Sequence, residues 1–241
     1  MRRLLTTLAL ILGFSTASFG QAANLNRVFY MTPKAGMQAQ FETAIKQHLQ
    51  WRKDNGDPWT WEVSQVINGQ NMGDYIVVST GHTWSDFDAY SDFIAKASLH
   101  VATTVSPVVE SLTSAISAVD TTIVRGEEGE NNLAQVIYFK LAPGKTQQFA
   151  EAVGQYHKAF TEKDHPIRYA VIWNVNGGDY DVLFYLPYEN WAAFAGPDTP
   201  NMEVMQAVYG EEAGAIAEAF NTSITESRSI ILMSRPDLSG N

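Results

Sequence analysis

The sequence contains no cysteine. The chain therefore has no disulfide, no thiol nucleophile and no thiol for lipid attachment. Two further catalytic signatures are missing, because the sequence has neither a Gly-x-Ser-x-Gly nucleophile elbow nor a glycine loop that would bind phosphate. The absence of disulfides does not exclude export, because an oxidising compartment permits disulfides without requiring them.

Basic side chains are also scarce. The chain has 16 Lys and Arg against 26 Asp and Glu, a formal net charge of −10. An acidic protein of this kind repels polyanions, so nucleic acid and anionic membrane surfaces are excluded as predicted partners.

Long apolar runs are missing except at the N-terminus. There the basic start Met1-Arg2-Arg3 is followed by an apolar run, Leu4 to Phe14, and then by small and polar residues. This run is too short to span a bilayer, and the three regions together are typical of a signal peptide. The sequence predicts a signal peptide over residues 1–22, cleavage near Gly20 or Ala22, and a periplasmic or extracellular protein without a membrane span.

No metal site is predicted. The histidines do not occur at the close spacings of metal-ligand pairs; they are His48, His82, His100, His157 and His165. Three carboxylates cluster at a helix start, where negative charge stabilises the helix dipole; they are Asp86, Asp88 and Asp92. The segment 174–181 resembles a calcium loop but has Tyr185 where the twelfth-position glutamate belongs, so calcium is not expected.

The sequence does contain an internal repeat, in which corresponding residues of the two copies are separated by a constant number of positions. Gly36 and Gly144 are 144 − 36 = 108 residues apart, and the same offset relates Asn68-Gly69 to Asn176-Gly177. An offset that is kept across several elements indicates a tandem duplication. The sequence predicts a first module over residues 24–125, a charged and glycine-bearing linker over 126–132, a second module over 133–236 and a tail over 237–241.

Each copy shows the same order of elements. A strand precedes an amphipathic helix, predicted over Met37–Lys53 in copy one and Lys145–Glu162 in copy two. Two strands joined by an Asn-Gly turn follow, then a helical region and a last strand, near 114–124 and 223–234. This βαββαβ order predicts a ferredoxin-like module in each copy.

The strands indicate how the copies meet. In the first strand Val28 and Tyr30 lie on one face, and Phe29 and Met31 on the other, so both faces are apolar. Helices cover one face only, and the sheet of the other copy is the candidate cover for the second. We therefore predict an α+β fold in which two antiparallel sheets pack as an intramolecular pseudo-dimer barrel.

This pattern resembles the dimeric α+β barrel superfamily, with two protomers fused in one chain from about Asn24 to Pro236. The resemblance rests on element order and repeat register. It implies a ligand site between sheet and helices. The superfamily includes cofactor-independent monooxygenases, haem-degrading and haem-binding enzymes, isomerases and binding proteins, and the fold alone does not choose among them.

His48 and Tyr156 occupy the same position in the two copies, on the apolar stripe of the first helix. They are candidate ligand-contacting residues, and the alternative is that both are core residues with local hydrogen bonds. The same two interpretations apply to the neighbouring aromatic residues. The full set of candidate ligand-binding residues is Tyr30, His48, Trp59, Trp61, Tyr138, Tyr156, Tyr169 and Trp173.

The function predicted from these residues is binding of a small apolar or aromatic molecule. One alternative is a cofactor-independent oxygenase in which His48 removes a substrate proton. Another alternative is a haem-related enzyme with His48, His100 or His157 as the axial ligand. No cofactor is predicted, and haem remains an alternative. A third is a protein-interaction module without a pocket. Because the copies differ at positions 48 and 156, at most one is expected to keep a site, and further oligomerisation is not required.

Overall fold

The structure is a computed structural model that describes residues 23–126 and 131–240. The predicted signal peptide, residues 127–130 of the predicted linker and Asn241 lie outside the described residues. Within the described ranges, no helix combines the length and apolar character needed to cross a membrane.

Both halves contain the predicted β-α-β-β-α-β order, with the second helical region divided in two. The first half consists of β1 (Leu25–Pro33), α1 (Gln38–Asp54), β2 (Glu62–Gly69), β3 (Tyr75–His82), α2 (Trp84–Ala89), α3 (Ser91–Thr104) and β4 (Val109–Arg125). The second half consists of β5 (Leu133–Leu141), α4 (Thr146–Glu162), β6 (Tyr169–Gly177), β7 (Val182–Tyr188), α5 (Asn201–Tyr209), α6 (Glu212–Thr222) and β8 (Ile224–Ser234).

Local sequence explains where the helices begin. α1 and α4 follow turns in which Gly36 and Gly144 have the same left-handed φ of 75°, a conformation that glycine adopts without strain. α2 begins at a capping box: the Thr83 side chain accepts from the Asp86 N–H, and the Asp86 carboxylate accepts from the Thr83 N–H. Asp86 therefore serves the helix start, as its position in the sequence predicts.

The eight strands form one closed antiparallel barrel in the order β1-β3-β2-β8-β5-β7-β6-β4. The predicted α+β class and barrel are confirmed. Inside each half the strand order is β4-β1-β3-β2 or β8-β5-β7-β6, and the halves join through two seams, β2 with β8 and β4 with β6. The two sheets therefore share hydrogen-bonded edges as well as an interior.

The two Asn-Gly pairs are not hairpin turns, which corrects the sequence prediction. Gly69 and Gly177 are the last residues of β2 and β6, and they pair with Ile230 and Ala115 across the seams. A Cβ on Gly69 would lie 2.5 Å from the backbone oxygen of Ser229, and one on Gly177 would clash with backbone in the same way. The repeated glycines are needed because the seam strands approach closely at these points.

Strand alternation divides the apolar side chains among three cores. One core lies between the first-half sheet and its helices, and contains Phe41, Trp61 and Val77. A second lies between the second-half sheet and its helices, and contains Phe149 and Phe160. The third core occupies the barrel interior, where it includes Val66, Val136, Tyr138, Tyr180, Leu183, Ile230 and Leu232.

The segment after β8 crosses to the other half. The Arg235 N–H donates to the carbonyl of Val63, and Gly240 pairs with Trp61. Leu238 is buried in the first-half core. Residues 235–240, most of which the sequence assigned to a tail, thus continue the second half onto the first.

Candidate functional site

A cavity of about 240 Å³ lies in the first half, between the sheet and the helices α1 and α3. Most of its wall is apolar. Strand β1 contributes Phe29 and Met31, and α3 contributes Ala97 and Val101. A concave, mostly apolar space with a few polar groups is typical of a small-molecule site, in which the polar groups orient the ligand.

One end of the cavity is polar and is organised by Asp57. Arg52, in the last turn of α1, donates from Nε to Asp57 Oδ2 at 2.8 Å and from Nη2 to the Tyr90 hydroxyl at 2.9 Å. Tyr90 in turn donates to Asp57 Oδ1 at 2.7 Å. The Trp61 indole and the Trp59 backbone N–H donate to the same carboxylate, at 3.1 and 2.9 Å. The four hydrogen bonds that Asp57 accepts satisfy a carboxylate that is buried away from water.

His48 lies between Arg52 and His100. Its Nε2 is 3.4 Å from Arg52 Nη1, and its Nδ1 is 2.9 Å from Nδ1 of His100. A guanidinium only donates, so His48 Nε2 accepts and the proton of the neutral ring is on Nδ1. His48 Nδ1 then donates to His100 Nδ1, which accepts with its lone pair.

His48 is neutral at pH 7. Burial lowers its pKa to about 3, helped by the positive charge of Arg52 and by His100. A general base works best when its pKa lies near the operating pH. The low pKa and the engaged Nε2 make His48 unsuited to remove a substrate proton, and its geometry favours a role in positioning Arg52.

Flat aromatic surfaces flank this polar end. The Trp59 ring stacks on Tyr90 with centroids 3.8 Å apart and an interplanar angle of 2°, and its contact with His82 measures 3.7 Å. Arg52 lies 4.6 Å from the centroid of Trp61. Tyr90 and His82 cover the two faces of Trp59, and the buried network holds these rings in place, so the cavity wall is pre-formed.

The second half fills the equivalent space with side chains. At the 108-residue offset, Arg52 corresponds to Phe160 and Asp57 to His165, and these two rings stack at 4.8 Å. Phe220 lies two residues before the end of α6, as the cavity-lining Ala102 lies two before the end of α3. The ring of Phe220 packs against Phe149 at 5.2 Å and Tyr156 at 6.0 Å.

The structure separates the candidate ligand-binding residues by location. His48, Trp59 and Trp61 line the first-half cavity. Tyr156, Tyr169 and Trp173 belong to or pack against the second-half core, where Tyr169 donates to or accepts from His157 Nδ1 at 2.9 Å.

Tyr30 and Tyr138 correct the sequence interpretation that placed them beside the helices. Both lie in or against the barrel-interior core, because they alternate with the helix-facing residues of β1 and β5. The hydroxyl oxygens of Tyr30 and Tyr180 are 3.3 Å apart, and the ring centroids of Tyr138 and Tyr180 are 5.1 Å apart. Burial raises the pKa of Tyr30 and of Tyr138. Neither side chain lines the cavity.

Sequence reasoning missed the network residues Arg52, Asp57 and Tyr90, and it missed Arg27, a residue of β1 that also lines the cavity. One signal was available. Arg52 follows His48 by four residues on the buried stripe of α1, and a buried arginine requires a counter-charge. Asp57, five residues further on, supplies it.

The described residues do not fit haem or a metal ion in this cavity. Of the described residues that line it, His48 is the one histidine, and its Nε2 lone pair faces a guanidinium. Axial ligation needs a lone pair that is not already bonded. In the described ranges, no three His, Asp or Glu side chains are grouped as a metal site would require.

The fold is similar to that of dimeric α+β barrel proteins of known structure. A putative monooxygenase from Fusobacterium nucleatum is 11% identical, with a TM-score of 0.57 over 90% of this chain and 93% of that one. An anthrone oxidase-like protein is 13% identical, with a TM-score of 0.55 over 89% and 94%. Chlorite dismutase from Candidatus Nitrospira defluvii is 12% identical, with a TM-score of 0.52 over 90% and 93%.

At these identities the likeness extends to the fold alone. No protein-family model matches the chain, and no curated protein matches it significantly.

Proposed function

We propose that the chain binds one small, planar, largely apolar molecule in the cavity of its first half. The observation that carries this proposal is the pre-formed cavity of about 240 Å³, walled by Phe29, Trp59 and Trp61. At its polar end Arg52, Asp57 and Tyr90 bond to one another, so an apolar ring can pack against them without stripping water from unpaired groups. Burial of such a ring against aromatic walls supplies the binding free energy.

Binding is tested by titrating the protein with 2-naphthol, menadione and 2-naphthamide while following tryptophan fluorescence. Quenching with a stoichiometry of one is expected for at least one compound. The blocking variant is Ala97→Phe, because Ala97 is a buried cavity-lining residue of α3. Its control, Ala95→Phe, adds the same ring to an exposed position of α3.

The proposal predicts that Ala97→Phe loses binding and that Ala95→Phe keeps it. Equal affinities in both variants would place the bound molecule elsewhere, and no saturable quenching by any compound would remove the proposal.

A second candidate function is oxygenation of the bound molecule without metal or cofactor. The names of two fold neighbours, a putative monooxygenase and an anthrone oxidase-like protein, support it. In such a reaction an electron-rich phenol gives electrons directly to oxygen; one oxygen atom enters the ring, which becomes a quinone, and the other leaves as water. The cavity would exclude water and hold the ring in one orientation for the reaction.

An oxygen electrode tests this second function. The wild-type protein, stripped of metal by a chelator, should consume oxygen with a phenol such as 1-naphthol faster than Ala97→Phe does, and 1,4-naphthoquinone should form. Equal rates for the two proteins would assign any oxygen uptake to the substrate's own autoxidation.

Two further proposals concern the history and location of the chain. We infer that its halves arose by tandem duplication of one ferredoxin-like module, supported by the constant 108-residue offset. Export is supported by the charged, apolar and small-residue regions of residues 1–22. Mass spectrometry of the protein from an extracytoplasmic fraction should find a new N-terminus near Gln21 or Ala23, whereas an intact N-terminus would contradict export.

A further inference from the structure

Arg27 is a cavity-lining cation without an acidic partner. It lies on the helix-facing side of β1 with Phe29 and Met31, and all three line the cavity. Its Nη2 is 3.4 Å from the Ser114 hydroxyl, and its Cζ lies 4.8 Å from the centroid of Phe29. Among the ion pairs of the described residues, which include Arg52 with Asp57 and Arg235 with Glu42, none involves Arg27.

The setting makes this charge unusual. The positive charge of Arg52 is compensated by Asp57. No Asp or Glu lies among the described residues that line the cavity, although the whole chain carries a net charge of −10. Arg27 is half-buried, and this burial lowers its pKa. A guanidinium that loses water without gaining a carboxylate destabilises the protein, unless a ligand brings the negative charge.

The hydrogen bonding of Arg27 also favours an anionic ligand. A guanidinium has five N–H groups in a planar fork, and the bond to Ser114 engages one of them. The remaining donors match the two oxygens of a carboxylate, which arginine binds in a bidentate manner. The guanidinium of Arg27 lies over the ring of Phe29, a cation–π contact that holds it at the cavity wall.

We propose that the cavity takes a compact aromatic acid, whose ring packs among Phe29 and Trp61 and whose carboxylate or sulfonate binds Arg27. This inference rests on the proposed ligand-binding function and adds the charge of the ligand to it. Arg27 is the specificity-determining residue, because it distinguishes an anion from a neutral ring of the same shape.

The test compares 2-naphthoate with 2-naphthamide, which have nearly the same shape but differ in charge. Affinities are measured by isothermal titration calorimetry. The wild-type protein should bind 2-naphthoate at least tenfold more tightly than 2-naphthamide, as expected for a charge-assisted hydrogen bond. Raising the salt concentration should weaken binding of the anion and leave the amide unaffected.

The diagnostic variant is Arg27→Gln, which keeps a polar side chain and removes the charge. It should lose the preference for 2-naphthoate and bind 2-naphthamide within about twofold of wild type. The control Lys96→Gln removes one positive charge from an exposed position of α3 that does not line the cavity. It should keep the wild-type preference, and circular dichroism confirms that each variant is folded.

Each other outcome overturns the inference. Equal wild-type affinity for the two ligands removes the role of charge, and a preference that survives in Arg27→Gln assigns it to another residue. Loss of both ligands in Arg27→Gln makes Arg27 a structural residue. If 2-naphthamide binds the wild type and 2-naphthoate does not, the proposed function stands and this inference fails. If neither binds, this inference fails, and the proposed function fails with it only if 2-naphthol and menadione do not bind either.

Discussion

Arg52 and Asp57 form an ion pair, with Arg52 Nε 2.8 Å from Asp57 Oδ2, in which the side chains are 9% and 2% exposed. Arg52 belongs to the last turn of α1, and Asp57 lies in the loop that leads to β2. The pair therefore ties the end of α1 to the loop that enters β2. The polar end of the cavity depends on both residues.

Removing the charge of Asp57 should strongly destabilise the protein. In Asp57→Asn the Arg52 guanidinium stays buried without its counter-charge, and breaking a buried pair in this way costs about 3–5 kcal/mol. Urea denaturation measures the free energy of unfolding. The matched control is Asp54→Asn, an exposed acid at the end of the same helix, which should change stability by less than about 0.5 kcal/mol. Similar losses in the two variants would argue against the pair.

His48 should make stability depend on pH. Its pKa is about 3 in the folded protein and 6.5 ordinarily, so between these values the unfolded chain binds a proton that the folded chain does not. The contribution of neutral His48 is complete above pH 6.5 and is lost as the pH falls towards 3. The free energy of unfolding should fall by up to about 1.4 kcal/mol per pH unit.

The measurement for His48 is the difference between wild type and His48→Gln, by urea denaturation at pH 7, 5.5 and 4.5. The comparison cancels acidic groups such as Glu42, whose pKa of about 2, held down mainly by its hydrogen bond with Arg235, also reduces stability in acid. Wild type should lose about 2–3 kcal/mol more than the variant over this range. Parallel pH profiles would show that His48 is not buried in its neutral form.

Gly69→Ala should weaken the seam between the two halves. Gly69 has φ +93°, and a Cβ there would lie 2.5 Å from the Ser229 oxygen. Gly73 has a similar φ of +100° but nothing within 4 Å of its Cβ position, so Gly73→Ala carries the backbone strain without the clash. Gly69→Ala should lower the free energy of unfolding by about 1–3 kcal/mol more than Gly73→Ala. Equal effects would mean that the seam accommodates a methyl group.

Leu238 should stabilise the first half although it follows the last strand of the second. It is 4% exposed and belongs to the first-half core, so Leu238→Ala should lower the free energy of unfolding by about 2–5 kcal/mol. Leu99→Ala removes the same atoms from a side chain that is 74% exposed, and should have little effect. A loss no larger than that of Leu99→Ala would show that the segment detaches readily.

Much of the fold could be predicted because its signals are local. Alternation of Val28 and Tyr30 against Phe29 and Met31 depends only on the period of a strand, and it correctly required a cover on both faces. The prediction that Gly69 lies in a hairpin turn was wrong, because it is the last residue of β2. Its signal, Asn-Gly, is the same in a tight turn and at a strand end where another strand approaches closely, and only the partner strand distinguishes the two.

The candidate site was predicted less completely. The interpretation of His48, Trp59 and Trp61 as ligand-binding residues stays a prediction, although all three line the cavity. Tyr30 was placed on the wrong side of its sheet, although its alternation with Phe29 was known. Asp57 and Tyr90 were missed because their roles arise from contacts between elements separated in sequence, 33 residues apart for their shared hydrogen bond.

By itself, the sequence determined the order of elements, the buried face of each helix and the need for two-sided cover, because periodicity and turn residues act over a few neighbours. The tertiary structure decided which half has the cavity. The difference depends on whether the helix before the last strand fills the space above the sheet, as Phe220 of α6 does and Ala102 of α3 does not. It also depends on whether a buried arginine pairs with a carboxylate, as Arg52 does with Asp57. Both depend on how distant elements pack, which no local pattern specifies.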